Sequence, residues 1–260
     1  MKKYIIYSMT AVFALSAMFI ACKKDKDDKG SNGDVPVTEK GVVINGVRWA
    51  TRNLDVGGHF VANPEDYGAL FQWGRRADGH ESRTSPSYPT NDESVESGAV
   101  SELDANGQIP TTHAAYGKFV KQIDEPYDWR MPQDDNLWGA AKTANDPSPA
   151  GWRVPTIEEL ASLADETYVT SEWTSENGIN GYRFTDKATG NTLFLPAAGS
   201  RNSSNSALSN AGMYGNYWSS SVNGTRAYLL YFYSETVFPG FSFSSDRAIG
   251  FSLRCVAEQK

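Results

Sequence analysis

Short apolar runs separated by turn residues follow residue 40 and predict β-strands. In residues 41–51, Asn45-Gly46 stands between two runs rich in β-branched and aromatic side chains. Because an Asn-Gly pair readily adopts the positive φ angles of a type I′ turn, we predict a β-hairpin there. Residues 66–75 are rich in aromatic residues and glycine but have no clean period, and they predict one short strand.

The C-terminal third of the chain predicts a β-sheet. Apolar runs at 193–196, 217–221 and 227–233 are typical of strands, and the last is apolar on both faces, which indicates a central strand. Residues 197–215 are mostly small and polar and predict a loop. In residues 249–256 apolar positions alternate with other residues, which predicts a strand whose apolar face carries the second cysteine.

One helix is expected. Thr156 and Glu159 have the spacing of a capping box, in which each side chain accepts a hydrogen bond from the backbone of the other residue. Leu160 and Leu163 then fall on one face at helical spacing. Because Pro155 prevents earlier helix growth, we predict a helix that begins directly after Thr156.

Residues 78–112 form the polar interval of the chain, rich in Ser, Thr, Asn, Asp, Glu and Pro. We expect a long surface excursion there, and loops of that length are usually functional or mobile. No repeat or linker divides residues 41–257, so we expect a single domain. With 12% aromatic residues, 23 Gly and 12 Pro, the composition favours β or α+β over a helix bundle.

The N-terminus has the pattern of a secretion signal. Lys2 and Lys3 precede an uncharged apolar stretch at 4–20, and the small Ala21 stands before Cys22. A transmembrane helix is the alternative, although the stretch is at the short end of the length that spans a bilayer.

Residues 19–22 (FIAC) resemble the lipobox of bacterial lipoproteins. The resemblance implies removal of residues 1–21 as a signal peptide and lipid on Cys22, which would anchor the protein to a membrane without a span. We expect residues 22–40 to be a flexible tether. Its charged start, 23–29, resembles tags that send some lipoproteins to the outer face of the outer membrane, with a plain spacer as the alternative. We therefore expect a lipid-anchored protein of the outer membrane that faces the cell exterior.

Charge and cysteine content exclude several classes of protein. The formal net charge of −7 and a pI near 5.1 disfavour a nucleic-acid binder, which usually carries a basic face. Loss of Lys2 and Lys3 with the signal makes the mature protein more acidic still. With only two cysteines, Cys22 and Cys255, which lie at opposite ends of the chain, a disulfide scaffold, a four-cysteine zinc site and a dicysteine redox centre are all disfavoured.

An ordered set of short motifs spans nearly the whole mature chain and carries a family resemblance. In chain order it reads VINGVRW, ATRNLD, YGALFQWGR, DNLWG, DPSPAGWRVPT, LPAAGSR, YWSSS and GFSLRCV. The set resembles the Fibrobacter succinogenes major paralogous domain, which occurs in secreted and surface lipoproteins. GWRVPT and GFSLRCV also resemble elements of the C-type-lectin-like superfold, which includes relatives of formylglycine-generating enzymes. The resemblance implies an α+β fold: a C-type-lectin-like twisted antiparallel sheet with one or two helices and long loops.

One motif departs from the family pattern. The family commonly has DPCP where this chain has DPSP at 146–149. The resemblance implies that the missing cysteine pairs with the position of Cys255. Because Ser148 replaces it and Cys22 is expected to carry lipid, we expect Cys255 to be a lone, buried and unreactive thiol.

An enzymatic function is disfavoured. Formylglycine-generating relatives need two active cysteines, and this chain has one outside the lipobox. Nucleophilic triads need a histidine base or a substitute, and none of His59, His80 and His113 lies in a recognisable partner motif. We therefore expect no catalytic residue and no cofactor, with an enzyme related to the formylglycine-generating family as the least favoured alternative.

A calcium site is the one metal site that the sequence suggests. Asp134, Asp135 and Asn136 offer clustered oxygen ligands of the kind that calcium prefers. An Asx-rich turn explains the same residues without an ion. We favour the turn and assign no metal ligand.

Display of a binding or adhesion domain is the leading hypothesis, with a glycan or a protein as ligand. Exposed aromatic rings stack on sugars and serve as hot spots for protein partners, although core packing explains such residues equally. Tyr214, in a glycine-flanked stretch, is expected to be exposed. A structural role in a surface or fimbrial complex is the alternative. The candidate ligand-binding residues are Trp73, Arg75, Trp138, Tyr214, Tyr217 and Trp218.

Overall fold

A computed structural model describes residues 39–89, 98–238 and 240–258. The described residues all belong to one compact unit, Val37–Lys260. The predicted signal segment, the lipidated cysteine and the tether as far as residue 38 lie outside the described residues.

Glu39, which the sequence assigned to the tether, is held against the folded domain. Its carboxylate accepts hydrogen bonds from the Gly41 N–H at 2.8 Å and from the Thr51 hydroxyl at 3.1 Å. It also forms an ion pair with Arg52 at 2.9 Å. Burial raises the pKa of Glu39, but these contacts outweigh burial and lower it overall.

The described residues form mostly antiparallel β-sheet with very little helix, which confirms the β-rich prediction in its coarse terms. One α-helix, α1, spans Ile157–Ser162, and two short 3-10 helices span Val56–Gly58 and Gly240–Ser242. The strands are β1 Val42–Ile44, β2 Val47–Trp49, β3 Phe71–Gln72, β4 Ser87–Tyr88, β5 Phe119–Val120, β6 Trp152–Arg153, β7 Val169–Glu176, β8 Ile179–Asp186, β9 Thr192–Pro196, β10 Ser200–Arg201, β11 Leu208–Ser209, β12 Tyr214–Asn223, β13 Arg226–Tyr233, β14 Thr236–Phe238, β15 Ser244–Asp246, β16 Gly250–Phe251 and β17 Val256–Ala257.

These strands form several small sheets. Two have four strands, in the orders β1-β2-β17-β6 and β11-β10-β16-β3. A third has the order β12-β13-β14, and β15 also pairs with β13. Strands β7, β8 and β9 form a meander, and β4 pairs with β5 in parallel. Because Val256 in β17 pairs with both Trp49 and Arg153, the two ends of the described chain meet in one sheet.

The local signals for the hairpin and the helix are confirmed. Ile44 pairs with Val47 across the turn, in which Asn45 has φ 47° and Gly46 has φ 78°. In α1 the Thr156 side chain accepts from the Glu159 N–H, while the Glu159 side chain accepts from the Thr156 N–H at 2.8 Å. Both signals are set by neighbours in sequence, which is why they could be identified without the fold.

Of the four strands predicted in the C-terminal third, three are confirmed and one is wrong; the short strand predicted within 66–75 is β3. The runs at 193–196, 217–221 and 227–233 lie in β9, β12 and β13, and β13 is central because strands flank both of its edges. The predicted strand at 249–256 is interrupted between β16 and β17. Its polar positions are not exposed. Arg254 is fully buried and donates to the Ala50 carbonyl at 3.2 Å and to Asn53 Oδ1 at 3.0 Å.

The polar interval at 78–112 is not simply a surface excursion. Within its described residues, Ser85 and Gln108 are buried. The Ser85 hydroxyl donates to the His80 carbonyl at 2.7 Å, and Gln108 Nε2 donates to the Gly74 carbonyl at 2.9 Å. These hydrogen bonds offset the cost of burying polar groups. The described part of this segment is therefore partly at the surface and partly buried, which polar composition alone does not reveal.

Two clusters of buried side chains form the core. One gathers aromatic residues such as Trp73, Trp138 and Trp218. The other packs α1 against the inner faces of β8, β9 and β13, with Phe184 and Phe232 among its members. In the part of the chain that the structure describes, no helix has the length and apolarity required to cross a membrane.

Candidate functional site

Five of the six candidate ligand-binding residues lie inside the protein, so their predicted role as exposed contacts is not compatible with this fold. The indole N–H groups of Trp73, Trp138 and Trp218 donate to the backbone carbonyls of Ser219, Asn145 and Phe71 at 2.8, 3.0 and 2.9 Å. Because each polar atom has an interior partner, burial of these large rings is favourable. The fully or almost fully buried candidates are Trp73, Arg75, Trp138, Tyr217 and Trp218.

Arg75 is buried at the centre of a hydrogen-bond network. Its Nη1 donates to Gln72 Oε1 at 2.8 Å and to the Lys118 carbonyl at 2.9 Å. Its Nη2 forms an ion pair with Asp78 at 2.5 Å, and its guanidinium lies over the Trp129 ring. These contacts hold the polar segment after residue 75 against the core.

Tyr214, which was expected to be exposed, is half-buried. It begins β12, where alternate side chains point to opposite faces of the sheet. Tyr214 and Asn216 therefore share the outer face, and Tyr217 points inward, where its hydroxyl donates to the Pro196 carbonyl at 2.7 Å. Strand alternation explains why the two tyrosines, close in sequence, have opposite environments.

An open cleft of about 340 Å³ lies beside Tyr214, between the β10–β11 hairpin and the outer face of β12 and β13. Its volume is at the lower end of the range for small-molecule sites. The ring centroids of Tyr214 and Tyr231 are 5.8 Å apart, so both rings border one space. The lining residues are Ser200, Asn202, Asn210, Tyr214, Asn216, Tyr231, Ile249 and Phe251.

Among the described residues, several polar groups of the cleft have no protein partner. The amide group of Asn210 forms no side-chain hydrogen bond. The oxygen of Asn202 accepts from the Ser204 N–H, which leaves its amino group unused. In Asn216 the amino group donates to the Gly199 carbonyl at 3.3 Å, which leaves the amide oxygen unused. The cleft thus offers both donors and acceptors to a ligand.

Aromatic rings continue from the cleft along the same sheet face. Tyr214 lies opposite Tyr233, and Tyr231 lies opposite Phe238, in the registers of β12-β13 and β13-β14. The Tyr231 and Phe238 rings stack at 5.4 Å, and Phe243 lies 4.7 Å from Phe238. All of these rings are at least partly exposed, in contrast with Phe232 on the inner face.

Most of the cleft was missed by sequence reasoning. The stretch at 197–215 was predicted as a loop, which concealed Ser200, Asn202 and Asn210 among other small polar residues. The run at 227–233 was interpreted as apolar on both faces. A period-two pattern, with Tyr231 and Tyr233 on one face and Leu230 and Phe232 on the other, could have identified the tyrosine face.

A second open cleft, of about 420 Å³, lies beside the β1–β2 hairpin. Its one carboxylate, that of Asp186, is already engaged in hydrogen bonds that stabilise the fold. Asp186 Oδ2 accepts from the Asn45 N–H at 2.8 Å, and Oδ1 accepts from the Ala188 and Thr189 N–H groups. These hydrogen bonds lower the pKa of Asp186. Because the carboxylate closes two turns, this cleft is the weaker candidate.

Asp78, His80 and Glu81 bring three potential metal-ligating side chains together within the described residues. His80 Nδ1 lies 2.7 Å from Asp78 Oδ1 and 3.2 Å from Glu81 Oε2. Burial raises the pKa of both carboxyl groups. Nevertheless Arg75 and His80 beside Asp78, and His80 and the Gly57 N–H beside Glu81, hold both pKa values below their usual range. The sequence did not reveal this cluster, although all three residues fall within four positions.

The tautomer of His80 argues against a metal ion in that cluster. His80 Nε2 accepts a hydrogen bond from the Gln72 N–H at 3.1 Å, so in the neutral ring the proton is on Nδ1. That proton faces the carboxylates of Asp78 and Glu81, where a metal would have to bind. The arrangement is that of a buried hydrogen-bond hub that fixes the segment following Arg75.

The residues considered for calcium form an Asx turn. Asp134 Oδ1 accepts from the Asn136 N–H at 2.9 Å and from the Asn136 side-chain amide at 3.1 Å. Asp135 instead forms an ion pair with Arg247 at 2.5 Å. The Asp134 carboxylate therefore accepts hydrogen bonds within the turn, while the Asp135 carboxylate pairs with an arginine, which agrees with the turn interpretation.

Cys255 is fully buried, as predicted, and is a free thiol. Burial raises its pKa to about 12, so the thiolate that nucleophilic chemistry needs is disfavoured. Its Sγ lies 3.1 Å from the hydroxyl oxygen of Ser148.

Comparison with known proteins assigns no relative: no family model matches the chain, and no curated protein or solved structure matches it significantly.

Proposed function

We propose that this chain is a non-catalytic, lipid-anchored protein of the outer membrane that displays a ligand-binding domain toward the cell exterior. The observation that carries the proposal is the open cleft in which Tyr214 and Tyr231 stand beside unpaired asparagine amides. Aromatic rings with free donors and acceptors in a concave surface are typical of ligand sites. Glycans and proteins are the ligand classes for such a displayed domain.

The family proposal rests on the ordered motifs and on one contact. The Fibrobacter succinogenes major paralogous domain would have a cysteine at position 148, and Ser148 lies in hydrogen-bond contact with Cys255. This proximity supports the pairing that the resemblance implies. We propose the C-type-lectin-like fold on the same grounds, together with the antiparallel sheets and the many residues outside strands.

The anchoring proposal rests on the residues that precede the described domain. Lys2 and Lys3, the apolar stretch at 4–20 and Ala21-Cys22 support cleavage before a lipid-carrying cysteine. Anchoring by acyl chains needs no membrane-spanning helix. Labelled palmitate incorporated by the wild-type chain and absent from Cys22→Ala would support it. Equal labelling of both would contradict it.

The absence of catalysis is supported by the environments of Cys255 and His80. Cys255 is buried with a raised pKa, and His80 is committed to two carboxylates and a backbone N–H. The cleft itself is lined by no histidine, cysteine or carboxylate. A labelled peptide substrate incubated with the chain, copper and oxygen tests the alternative, because turnover would refute the proposal.

Binding by intact cells tests the display function directly. Cells that express the full chain should retain fluorescent glycan or protein probes more strongly than cells without it, and Tyr214→Ala should abolish the difference. Tyr168→Ala is the matched control, because Tyr168 is an exposed tyrosine outside the cleft of Tyr214. Equal probe retention by all four strains (wild-type chain, no chain, Tyr214→Ala and Tyr168→Ala) would contradict a binding function for this cleft.

A further inference from the structure

We infer that the cleft between the β10–β11 hairpin and the outer face of β12 and β13 takes an uncharged glycan. The inference rests on the proposed function, because it assumes that this cleft is the ligand site, and it adds the chemical class of the ligand. Three properties of the lining carry it: mixed hydrogen-bonding groups, half-exposed tyrosine rings and a lack of charge.

The hydrogen-bonding groups match hydroxyls. Within the described residues, the cleft presents an unused amino group on Asn202, an unused amide oxygen on Asn216 and both groups of Asn210. A sugar hydroxyl donates one hydrogen bond and accepts others, so it can satisfy donors and acceptors that lie side by side. A ligand with acceptors alone would leave the Asn216 oxygen unsatisfied, at a cost in affinity.

The aromatic groups match the apolar face of a sugar ring. Tyr214 and Tyr231 are half-buried, and their ring planes are inclined by 33° at a centroid distance of 5.8 Å. Each ring presents an apolar body with a hydroxyl at its edge, which suits a ligand that is apolar on one face and polar around its rim. Ile249 and the nearly buried Phe251 complete an apolar part of the lining.

The lining carries no charge to pair with a charged ligand. None of its eight residues is acidic or basic. Arg201 is adjacent in sequence to two of them, but it is buried and directed elsewhere. Its guanidinium donates to the Ser82 and Ser85 carbonyls and lies 4.3 Å from the Phe119 ring centroid. Burial also raises the pKa of Tyr231, which keeps its phenol neutral. A phosphate or carboxylate would therefore lose water without gaining a partner ion.

The size of the cleft favours a glycan over a protein. A stable protein interface buries about 800 Å² on each partner, across 20 to 30 residues. Eight residues around about 340 Å³ accommodate a small ligand or the end of a chain.

Calorimetry on the full chain, purified in detergent, tests the inference with neutral hexose oligosaccharides and matched oligosaccharides that contain uronic acid. We expect binding of a neutral oligosaccharide with a Kd that is unchanged between low and high salt, because screening affects only charged contacts. Tyr214→Ala should weaken binding by about tenfold or more, and Tyr214→Phe by much less, since stacking on the ring remains. Asn210→Gly should also weaken it. Glycine keeps the backbone conformation of Asn210, whose φ is 61°.

Two matched controls separate the cleft from the rest of the surface. Tyr168→Ala and Asn223→Ala remove an exposed tyrosine and an exposed asparagine outside the cleft and should leave Kd unchanged. Tighter, salt-sensitive binding of the acidic oligosaccharide, or glycan binding that is insensitive to Tyr214→Ala, would overturn the inference.

The same inference fails, while the proposed function stands, if no glycan binds but cells retain a protein probe through Tyr214. If neither class of probe depends on Tyr214, both fail together.

Discussion

The Cys255 thiol donates a hydrogen bond to the Ser148 hydroxyl at 3.1 Å, although the two residues are 107 positions apart in sequence. Both side chains are buried. The contact joins the DPSP segment to the last strand region of the domain, at the place where the family resemblance implies a disulfide.

Ser148→Cys should form a disulfide with Cys255 under oxidising conditions. A covalent link that closes so long a loop should raise the free energy of unfolding by about 2–4 kcal/mol, measured by urea denaturation with and without reductant. Ser148→Ala is the control, which removes the hydroxyl and cannot form the link. Two free thiols in the folded, oxidised variant would show that the backbone does not permit the bond.

Trp218→Phe should reduce the stability of the domain while ligand binding is retained, because Trp218 itself does not line the cleft. The substitution removes the indole N–H that bonds the Phe71 carbonyl and leaves space against Phe251, whose ring centroid is 4.6 Å away. We expect a loss of about 2–3 kcal/mol in urea denaturation. Tyr214→Ala should show the reverse, with weakened binding and nearly unchanged stability. Loss of binding in Trp218→Phe at a temperature where it remains folded would contradict this division.

His80→Ala should unfold or strongly destabilise the domain, because it leaves the buried carboxylates of Asp78 and Glu81 without their shared donor. Removing one partner from a buried charged network costs about 3–5 kcal/mol. His59→Ala, at an exposed position, should cost little. Because His80 Nε2 is occupied by the Gln72 N–H, zinc should not raise the Tm of the wild-type chain. A zinc-dependent rise that vanishes in His80→Ala would refute the hydrogen-bond hub.

Asp128 should make stability decrease as pH rises through the weakly acidic range. Burial raises its pKa to about 6, against the opposing effect of Arg247. Because the folded state binds this proton more tightly than the unfolded state, stability is greatest below the unfolded pKa. As the pH rises from the unfolded pKa to about 6, the free energy of unfolding falls by on the order of 3 kcal/mol. Asp128→Asn should remove that part of the pH dependence. Parallel stability-pH curves for both proteins from pH 4 to 8 would contradict it.

Local signals predicted the elements that depend on neighbours in sequence. The Asn45-Gly46 hairpin and the Thr156–Glu159 capping box needed nothing beyond a few adjacent residues. The interior polar network could not be predicted in the same way. Arg254, for example, bonds Ala50 and Asn53 across about two hundred positions. A polar segment can be buried when distant partners satisfy it, and composition does not reveal those partners.

The candidate site shows the same limit. Tyr214 was identified from its glycine-flanked position, but Tyr231 and Asn210 reach the cleft only because β13 pairs with β12 and the β10–β11 hairpin lies alongside. Trp218 was misassigned for the opposite reason. Its side chain lies on the same face of β12 as that of Tyr214, but strands β16 and β3 cover that part of the face.

The placement of the tryptophans gives the domain two separate optical signals. Six of its seven tryptophans are buried, and the cleft is lined by two tyrosines and by no tryptophan. Emission from the indoles should therefore lie at short wavelengths and shift to the red only when the core opens. A sugar that enters the cleft should leave that emission unchanged and alter tyrosine absorbance instead. The buried indoles are Trp49, Trp73, Trp129, Trp138, Trp152 and Trp218.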